Sequence, residues 1–341
     1  MALRWVEGFE SYSNLINFVQ YRYASFVGGS STFAPGRALG NSLNFIGNSL
    51  VTPTFGNQAE WFTGFAFRNV NLGTSNIQMP VLEVRDGTTV QVTLSFNPST
   101  RVFSVYRGPL TTLLGTGTFV LTTGAWYYIE LDALIDSAVG AANLHVNTVS
   151  DITFSGNTQV SANSYANTFA WKGPLAVGLG GAYQLDDIYI NDSTGGANNT
   201  FLGDMKVEAV NVIDSGNYAQ WGVNVPGTPN FQAVQVLNDG LYISSNTAGQ
   251  KDSYVCSNLN KITSDVAGVS AVYWGRNTDS TVHTINSLIR TGGTDYLGTA
   301  ISITDTAFKA YQEIWEQDPS TSAQWTVNGV GAAEFGVKLN S

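Results

Sequence analysis

The sequence contains few charged residues, two histidines and one cysteine. Asp, Glu, Lys and Arg make up only 12% of the 341 residues, about half the usual share. Lys and Arg form no cluster, and the net charge is −10. Because nucleic-acid binding needs a basic surface to neutralise phosphates, we expect no nucleic-acid partner.

Other absences exclude further classes of function. The single cysteine, Cys256, cannot close an internal disulfide, and its apolar neighbours predict a small buried residue. No stretch approaches the roughly 18 to 20 apolar residues of a membrane span, so we expect no membrane insertion. The start, MALRWVEGFESYSNL, lacks the pattern of a secretory signal. Phosphate-binding glycine motifs are missing too, which leaves nucleotide binding without support.

Short alternating stretches of β-branched and aromatic residues fill the chain instead. WFTGFAFRNV, from Trp61, is apolar on both faces, which predicts a central strand. MPVLEVRD and TVQVTLSF flank Asp86-Gly87, a pair typical of a hairpin turn. No long amphipathic stretch is present, so the sequence predicts an all-β protein. Residues 16–26 fit neither period, and both a short helix and a strand stay open there.

A run of small and polar residues at 193–200, STGGANNT, predicts a boundary between two domains. We therefore expect two β-sandwich domains, residues 1–195 and 196–341, each long enough to bury a core. Beyond the boundary, strands are predicted at 201–210, 231–237 and several later stretches. No repeat of fixed period links the halves, which argues against a solenoid or propeller.

Several motifs resemble one fold family. WYYIEL (126–131), LHVN (144–147), Val177-Gly178-Leu179-Gly180 and LDDIYI (185–190) occur in the order found in laminin G-like or concanavalin A-like jelly rolls. They resemble in particular the versions found in structural proteins of tailed bacteriophage particles. Gly203-Asp204 and the carboxyl-terminal Trp315, DPST, Trp325-Thr and EFGV are similar to patterns in such virion proteins. The resemblance implies a lectin-type β-sandwich, a fold that hosts sugar binders, glycosidases and scaffolds.

Two adjacent aspartates lie inside the 185–190 stretch. Alternation places Asp186 and Asp187 on opposite faces of the sheet, so one of them needs partners near the core. One interpretation is that Asp186, Asp187 and Asp192 join loop carbonyls around a calcium ion. The other, which the small number of carboxylates favours, is that they accept backbone N–H groups at a loop.

Candidate catalytic groups are scarce. His145 and His283 both lie in predicted strands, which leaves a serine triad without a base. Glu130 and Asp132 match the first half of the Glu-x-Asp-x-Glu run of some glycoside hydrolases that resemble this jelly roll, but Leu134 holds the third position. Such enzymes need two carboxylates about 5 to 9 Å apart. We therefore expect Glu130 and Asp132 to lie on a solvated sheet face, and no enzymatic activity.

A sugar site needs only aromatic faces with polar neighbours. Trp171, Tyr165 and Tyr183, with the Asn-rich loops, are the candidates for such a patch. The same residue types are equally suited to a sandwich core or a protein interface. Their spacing does not separate these roles.

Low charge and abundant Gly, Ser, Thr and Asn are typical of extracellular or virion β-proteins. The missing export signal fits assembly into a virus particle inside a cell. Together with the resemblance, this predicts a non-enzymatic structural component of a tailed-phage virion, exposed outside as a capsid decoration or cement protein or a head fibre rather than a tail component. Its partners would be other virion proteins and further copies of the chain, in a homo-oligomer. The alternatives are a lectin-like module that recognises a host-surface glycan and a polysaccharide hydrolase.

Overall fold

The computed structural model describes residues 1–12, 16–27, 30–38, 40–47, 49–174, 181–235, 237–279 and 281–340. The Val177-Gly178-Leu179-Gly180 motif lies outside these residues. The chain divides into two compact units: Met1–Glu10 with Asn14–Val207, and Ser11–Ser13 with Glu208–Ser341. Residues 196–207 thus belong to the first unit, whereas the sequence predicted that the first domain ends at 195.

The first unit is built from short antiparallel strands, because alternating residues present one apolar side for burial. Two 3-10 helices, Glu10–Tyr12 and Ile16–Tyr21, follow its first strand, so the undecided stretch 16–26 is part helix and part strand. The strands are β1 (Leu3–Glu7), β2 (Ser25–Val27), β3 (Thr32–Pro35), β4 (Asn41–Phe45), β5 (Ser49–Val51), β6 (Glu60–Asn69), β7 (Met79–Asp86), β8 (Thr89–Asn97), β9 (Val102–Arg107), β10 (Thr112–Thr116), β11 (Trp126–Leu134), β12 (Gly140–Val146), β13 (Val149–Gly156), β14 (Thr168–Lys172) and β15 (Tyr183–Asp192).

These strands form two sheets. The first has the order β13-β12-β11-β6-β15-β4-β3, with β1 also paired to β15, and the second has the order β10-β9-β8-β7-β14-β5-β2. Aromatic rings fill the space between them: the Phe67 ring lies 5.4 Å from that of Phe96 and 5.3 Å from that of Phe103. Strands distant in sequence are neighbours in both sheets, as in a jelly roll. The predicted all-β sandwich is confirmed.

Two local predictions are also confirmed. Strand β6 lies between β11 and β15, as expected of a stretch that is apolar on both faces. Strands β7 and β8 pair as a hairpin around Asp86-Gly87, and Gly87 has a φ of 57°, which glycine adopts without steric cost.

Alternation fails in β15. The pairing with β6 shifts by one residue between Asp186 and Tyr189, which is a β-bulge. Asp187 has a φ of 49°, in the left-handed region that non-glycine residues rarely adopt. Because of the bulge, the two aspartates do not simply point to opposite faces.

The second unit contains a five-stranded antiparallel sheet, of order β16-β19-β26-β21-β22, and three two-stranded pairs, β17-β18, β20-β23 and β24-β25. A short helix, not the predicted strand, occupies 230–233, and no strand forms at 201–210. The elements are β16 (Val212–Ala219), β17 (Gly222–Val223), α1 (Asn230–Ala233), β18 (Ile243–Ser244), β19 (Lys251–Cys256), β20 (Val269–Gly275), β21 (His283–Thr291), β22 (Thr294–Ile303), β23 (Lys309–Trp315), β24 (Gln317–Asp318), β25 (Ala323–Gln324), α2 (Val327–Ala332) and β26 (Glu334–Leu339).

The core of the second unit includes the carboxyl-terminal tryptophan pattern. Trp325 is buried with Ile289 and Val330, and its indole N–H donates to the carbonyl of Trp315 at 3.0 Å. Cys256 is buried as predicted, and burial raises the pKa of its thiol to about 11. None of the helices in the described ranges is long and apolar enough to cross a membrane.

Candidate functional site

The outer face of the first sheet, which points away from the second sheet, collects polar and aromatic side chains from four neighbouring strands. Directly opposed residues in antiparallel strands lie on the same face. The pairings across the face are Glu130 with His145 and Gly64, Asp132 with Asn143 and Phe62, Tyr189 with Gly64, and Asn191 with Phe62. We call these eight residues the outer face.

Residues 198–207, which we call the covering segment, bind this face through backbone groups of Asn198, Thr200, Leu202 and Gly203. The chain itself therefore supplies hydrogen-bond partners to several polar groups of the outer face. Asn191 Nδ2 donates to Thr200 O (2.8 Å), Leu202 N donates to Tyr189 Oη (3.1 Å) and Gly203 N donates to Glu130 Oε1 (2.8 Å).

Phe201 anchors the covering segment. Its ring lies 5.3 Å from the ring of Phe62 and 4.2 Å from that of His145. Beneath the segment, Glu130 is 1% exposed and Asp132 is 6% exposed. The prediction that these two carboxyl groups lie on a solvated face is therefore wrong, because both are buried and Gly203 of the covering segment binds Glu130.

Tyr189 on the bulged strand β15 contacts Glu130 on β11. Its hydroxyl donates to Glu130 Oε1 at 2.5 Å, and its ring lies directly over Gly64. A Cβ atom at position 64 would overlap that ring. Gly64 thus leaves the space in which Tyr189 reaches Glu130.

We expect Gly64→Ala to lower the free energy of unfolding by about 1–3 kcal/mol, since overpacking a buried site forces neighbouring groups to move. Denaturant unfolding, followed by circular dichroism, measures the change. Gly56→Ala is the matched control, because no atom of the described residues lies within 4 Å of a Cβ atom built there. Equal stability of the two variants would contradict the close packing of Tyr189 on Gly64.

Two further carboxyl groups, those of Asp186 and Asp187, lie at the bulge and contact Arg37. Arg37 Nε lies 2.8 Å from Asp187 Oδ2, and Arg37 N donates to Asp186 Oδ2 at 2.7 Å. Arg37 also binds Asp204 and places its guanidinium 5.0 Å from the centre of the Tyr128 ring. Burial, and then the charge of Asp187, raise the pKa of Asp186 to about 8. Burial raises the pKa of Asp187 as well, against the opposing effect of Arg37.

Every carboxylate oxygen of the proposed calcium ligands accepts a hydrogen bond. Asp187 Oδ1 accepts from Val207 N at 2.7 Å, and Asp186 Oδ1 accepts from Asp187 N at 2.8 Å. Asp192 accepts from Arg4 Nε at 2.6 Å and from Thr194 N at 2.8 Å. The described ranges contain no group of three or more His, Cys, Asp or Glu side chains placed to hold a metal ion. The contacts of these aspartates are thus those of the hydrogen-bonding interpretation.

The predicted aromatic patch does not form. Trp171 and Tyr183 have no exposed surface. Trp171 faces Phe65 at 6.4 Å and Tyr183 faces Phe67 at 5.1 Å, both between the sheets. Only Tyr165 is partly exposed. Assigning Trp171 and Tyr183 to a sugar site was wrong, because both belong to the core.

The two histidines lie in different units. His145 packs against Phe201, and His283 lies 3.4 Å from the exposed Asp279. Sequence reasoning missed Arg37 and the covering segment. The Gly203-Asp204 pair, which is part of the resemblance to virion proteins, lies in the covering segment, and Asp204 contacts Arg37.

Neither a family model nor a curated protein sequence matches the chain. Solved structures similar to part of it include the cellulose-induced protein Cip1 (15% identity, TM-score 0.38, 48% of this chain and 86% of that chain). Alginate lyase Aly36B is another, with 12% identity and a TM-score of 0.38, over 55% of this chain and 96% of that chain. A third is domain 4 of AbnA, a GH43 extracellular arabinanase from Geobacillus stearothermophilus. It has 14% identity and a TM-score of 0.36, over 56% of this chain and 94% of that chain. Likenesses this distant carry no argument about activity.

Proposed function

We propose that this protein is a non-enzymatic structural component of a tailed-phage virion, exposed on the particle exterior, that acts through protein–protein contacts. The observation that carries the non-enzymatic part is the covered outer face. The covering segment lies over Glu130, the first acid of the candidate hydrolase pair, and Glu130 is bound to Tyr189 and Gly203 beneath it. The resemblance of the sequence motifs to virion proteins carries the location.

The surface chemistry supports contacts with other proteins. Exposed aliphatic side chains lie on or beside strands at the sheet edges, among them Leu113 on β10 and Val149 on β13, which are 54% and 60% exposed. Because so few residues of the chain are charged, an interface on it needs little desolvation of ions. We propose a capsid decoration or cement protein or a head fibre, and a homo-oligomer.

Antibody labelling of intact particles tests the location. Purified virions are incubated with an antibody raised against this chain and viewed by negative-stain microscopy, with particles from a phage lacking the gene as the control. Label on the head exterior is the expected result. Absence of the chain from purified particles would overturn the proposal, and label confined to the tail would overturn the head location.

Turnover of polysaccharide tests the non-enzymatic part. Wild-type protein and Glu130→Gln are incubated with polysaccharide from the host surface, and new sugar ends are measured. We expect equal, background release from both. Release by the wild-type protein that Glu130→Gln abolishes would show a hydrolase or lyase.

A further inference from the structure

Asp132 on β11 and Asn143 on β12 face each other directly across the two strands. Asn143 Nδ2 donates to Asp132 Oδ2 at 2.8 Å. The other two oxygens of the pair, Asp132 Oδ1 and Asn143 Oδ1, are buried and have no hydrogen-bond partner among the described residues. Two buried acceptors therefore remain on two side chains that already share one hydrogen bond.

An ionised carboxylate and an amide oxygen are both acceptors, so neither can satisfy the other. A buried acceptor without a donor has lost its hydrogen bonds to water and gained none in return, which destabilises the fold. A single proton on Asp132 Oδ1 changes this, because the protonated oxygen becomes a donor. The acid form can then donate to Asn143 Oδ1, which accepts no hydrogen bond in the described ranges.

We propose that Asp132 and Asn143 form a proton-binding pair, in which the acid form of Asp132 donates from Oδ1 to Asn143 Oδ1 and accepts from Asn143 Nδ2 at Oδ2. Binding takes one proton from solvent and breaks no covalent bond. The result is a cyclic acid–amide pair that joins β11 to β12 beneath the covering segment in mildly acidic solution.

The surroundings favour the neutral form. Glu60 on β6 and Glu130 on β11 bring further carboxyl groups to this face, His145 on β12 is opposite Glu130, and Arg37 is paired with Asp187 on β15. No lysine or arginine forms an ion pair with Asp132 in the described ranges. Burial raises the pKa of Asp132 to about 6; the hydrogen bond from Asn143 lowers it, and the charge of Glu60 raises it.

Asp132→Asn is the informative variant, because a second amide can form the same cyclic pair without a proton. The folded pKa of Asp132 lies above its unfolded value of 3.8, so its contribution to stability is complete below that value and is lost as pH rises through about 6. Each pKa unit by which the folded and unfolded values differ corresponds to a tenfold change in the unfolding equilibrium constant. We expect the unfolding equilibrium constant of the wild type, divided by that of the variant, to fall about 50-fold between pH 7 and pH 4.

The ratio to the variant is needed because Asp252 in the second unit also has a pKa raised to about 6 by burial, so it titrates in the same range in both proteins. A ratio that does not change with pH would overturn the proposal. If the variant does not fold, carbon NMR of the wild-type protein decides instead. A carboxyl resonance assigned to Asp132 that titrates near pH 6 supports the pair, whereas one that stays in the ionised form down to pH 4.5 overturns it.

Discussion

Replacement of Arg37 by methionine is expected to lower the free energy of unfolding by about 3–5 kcal/mol, because it leaves a buried carboxylate without its counter-ion. The side chains of Arg37 and Asp187 are only 12% and 3% exposed, and their atoms lie 2.8 Å apart. Asp186 adjoins the same site, but its pKa of about 8 keeps it mainly neutral at pH 7, so the expected loss comes from the charge of Asp187. Methionine fills much of the space of the arginine stem, so the loss reports the charge.

Denaturant unfolding at pH 7 measures this loss, and Arg107→Met is the control. Arg107 Nη2 makes only a 3.5 Å contact with Thr112 at the surface, so we expect a change within about 0.5 kcal/mol. The deficit of Arg37→Met should shrink as pH falls, since protonation of Asp187 removes the unpaired charge. Equal losses for the two variants would show that Arg37 is not the counter-ion of the bulge.

The strands could be predicted because their signals are local. In β6 the alternation from Trp61 to Phe67 and in the β7–β8 hairpin the Asp86-Gly87 pair depend only on neighbouring residues. The same local reasoning predicted the burial of Cys256. Each of these features forms wherever a sheet is available to receive the strand.

The bulge at Asp187 could not be predicted. Alternation assumes one residue per pairing position, and the shift between Asp186 and Tyr189 depends on the register of the neighbouring strand β6. The role of Gly64 on the neighbouring strand β6 becomes apparent only when Tyr189 is known to lie over it. The spacing of residues within β6 or within β15 does not indicate the contact between Gly64 and Tyr189.

The covering segment was mistaken for a linker and a strand for a related reason. Its hydrogen bonds to Glu130 and Asn191 use backbone groups, which every residue carries and no residue type announces. Phe201 is the one side chain that marks it, and a single aromatic residue after a Gly-rich run also fits a new strand. The burial of Glu130 and Asp132 followed from this segment.

Only the packing between the two sheets shows that Trp171 and Tyr183 belong to the core. All the residues of β14 except Lys172 are buried, so alternation cannot say which side of the strand meets solvent. Trp171 and Tyr183 therefore looked as available for a ligand as for the core. Packing against Phe65 and Phe67 decided between the two roles.

Trp171→Ala is consequently expected to lower the free energy of unfolding by about 3–5 kcal/mol, as truncation of a large buried side chain leaves a cavity. Trp171→Phe is the matched variant: it keeps an aromatic ring and removes an indole N–H for which the described part of the chain offers no hydrogen-bond partner, so we expect a smaller loss. Thermal and denaturant unfolding measure both. Glycan binding by the wild-type protein that disappears in a Trp171→Ala protein of unchanged stability would instead place Trp171 in a sugar site.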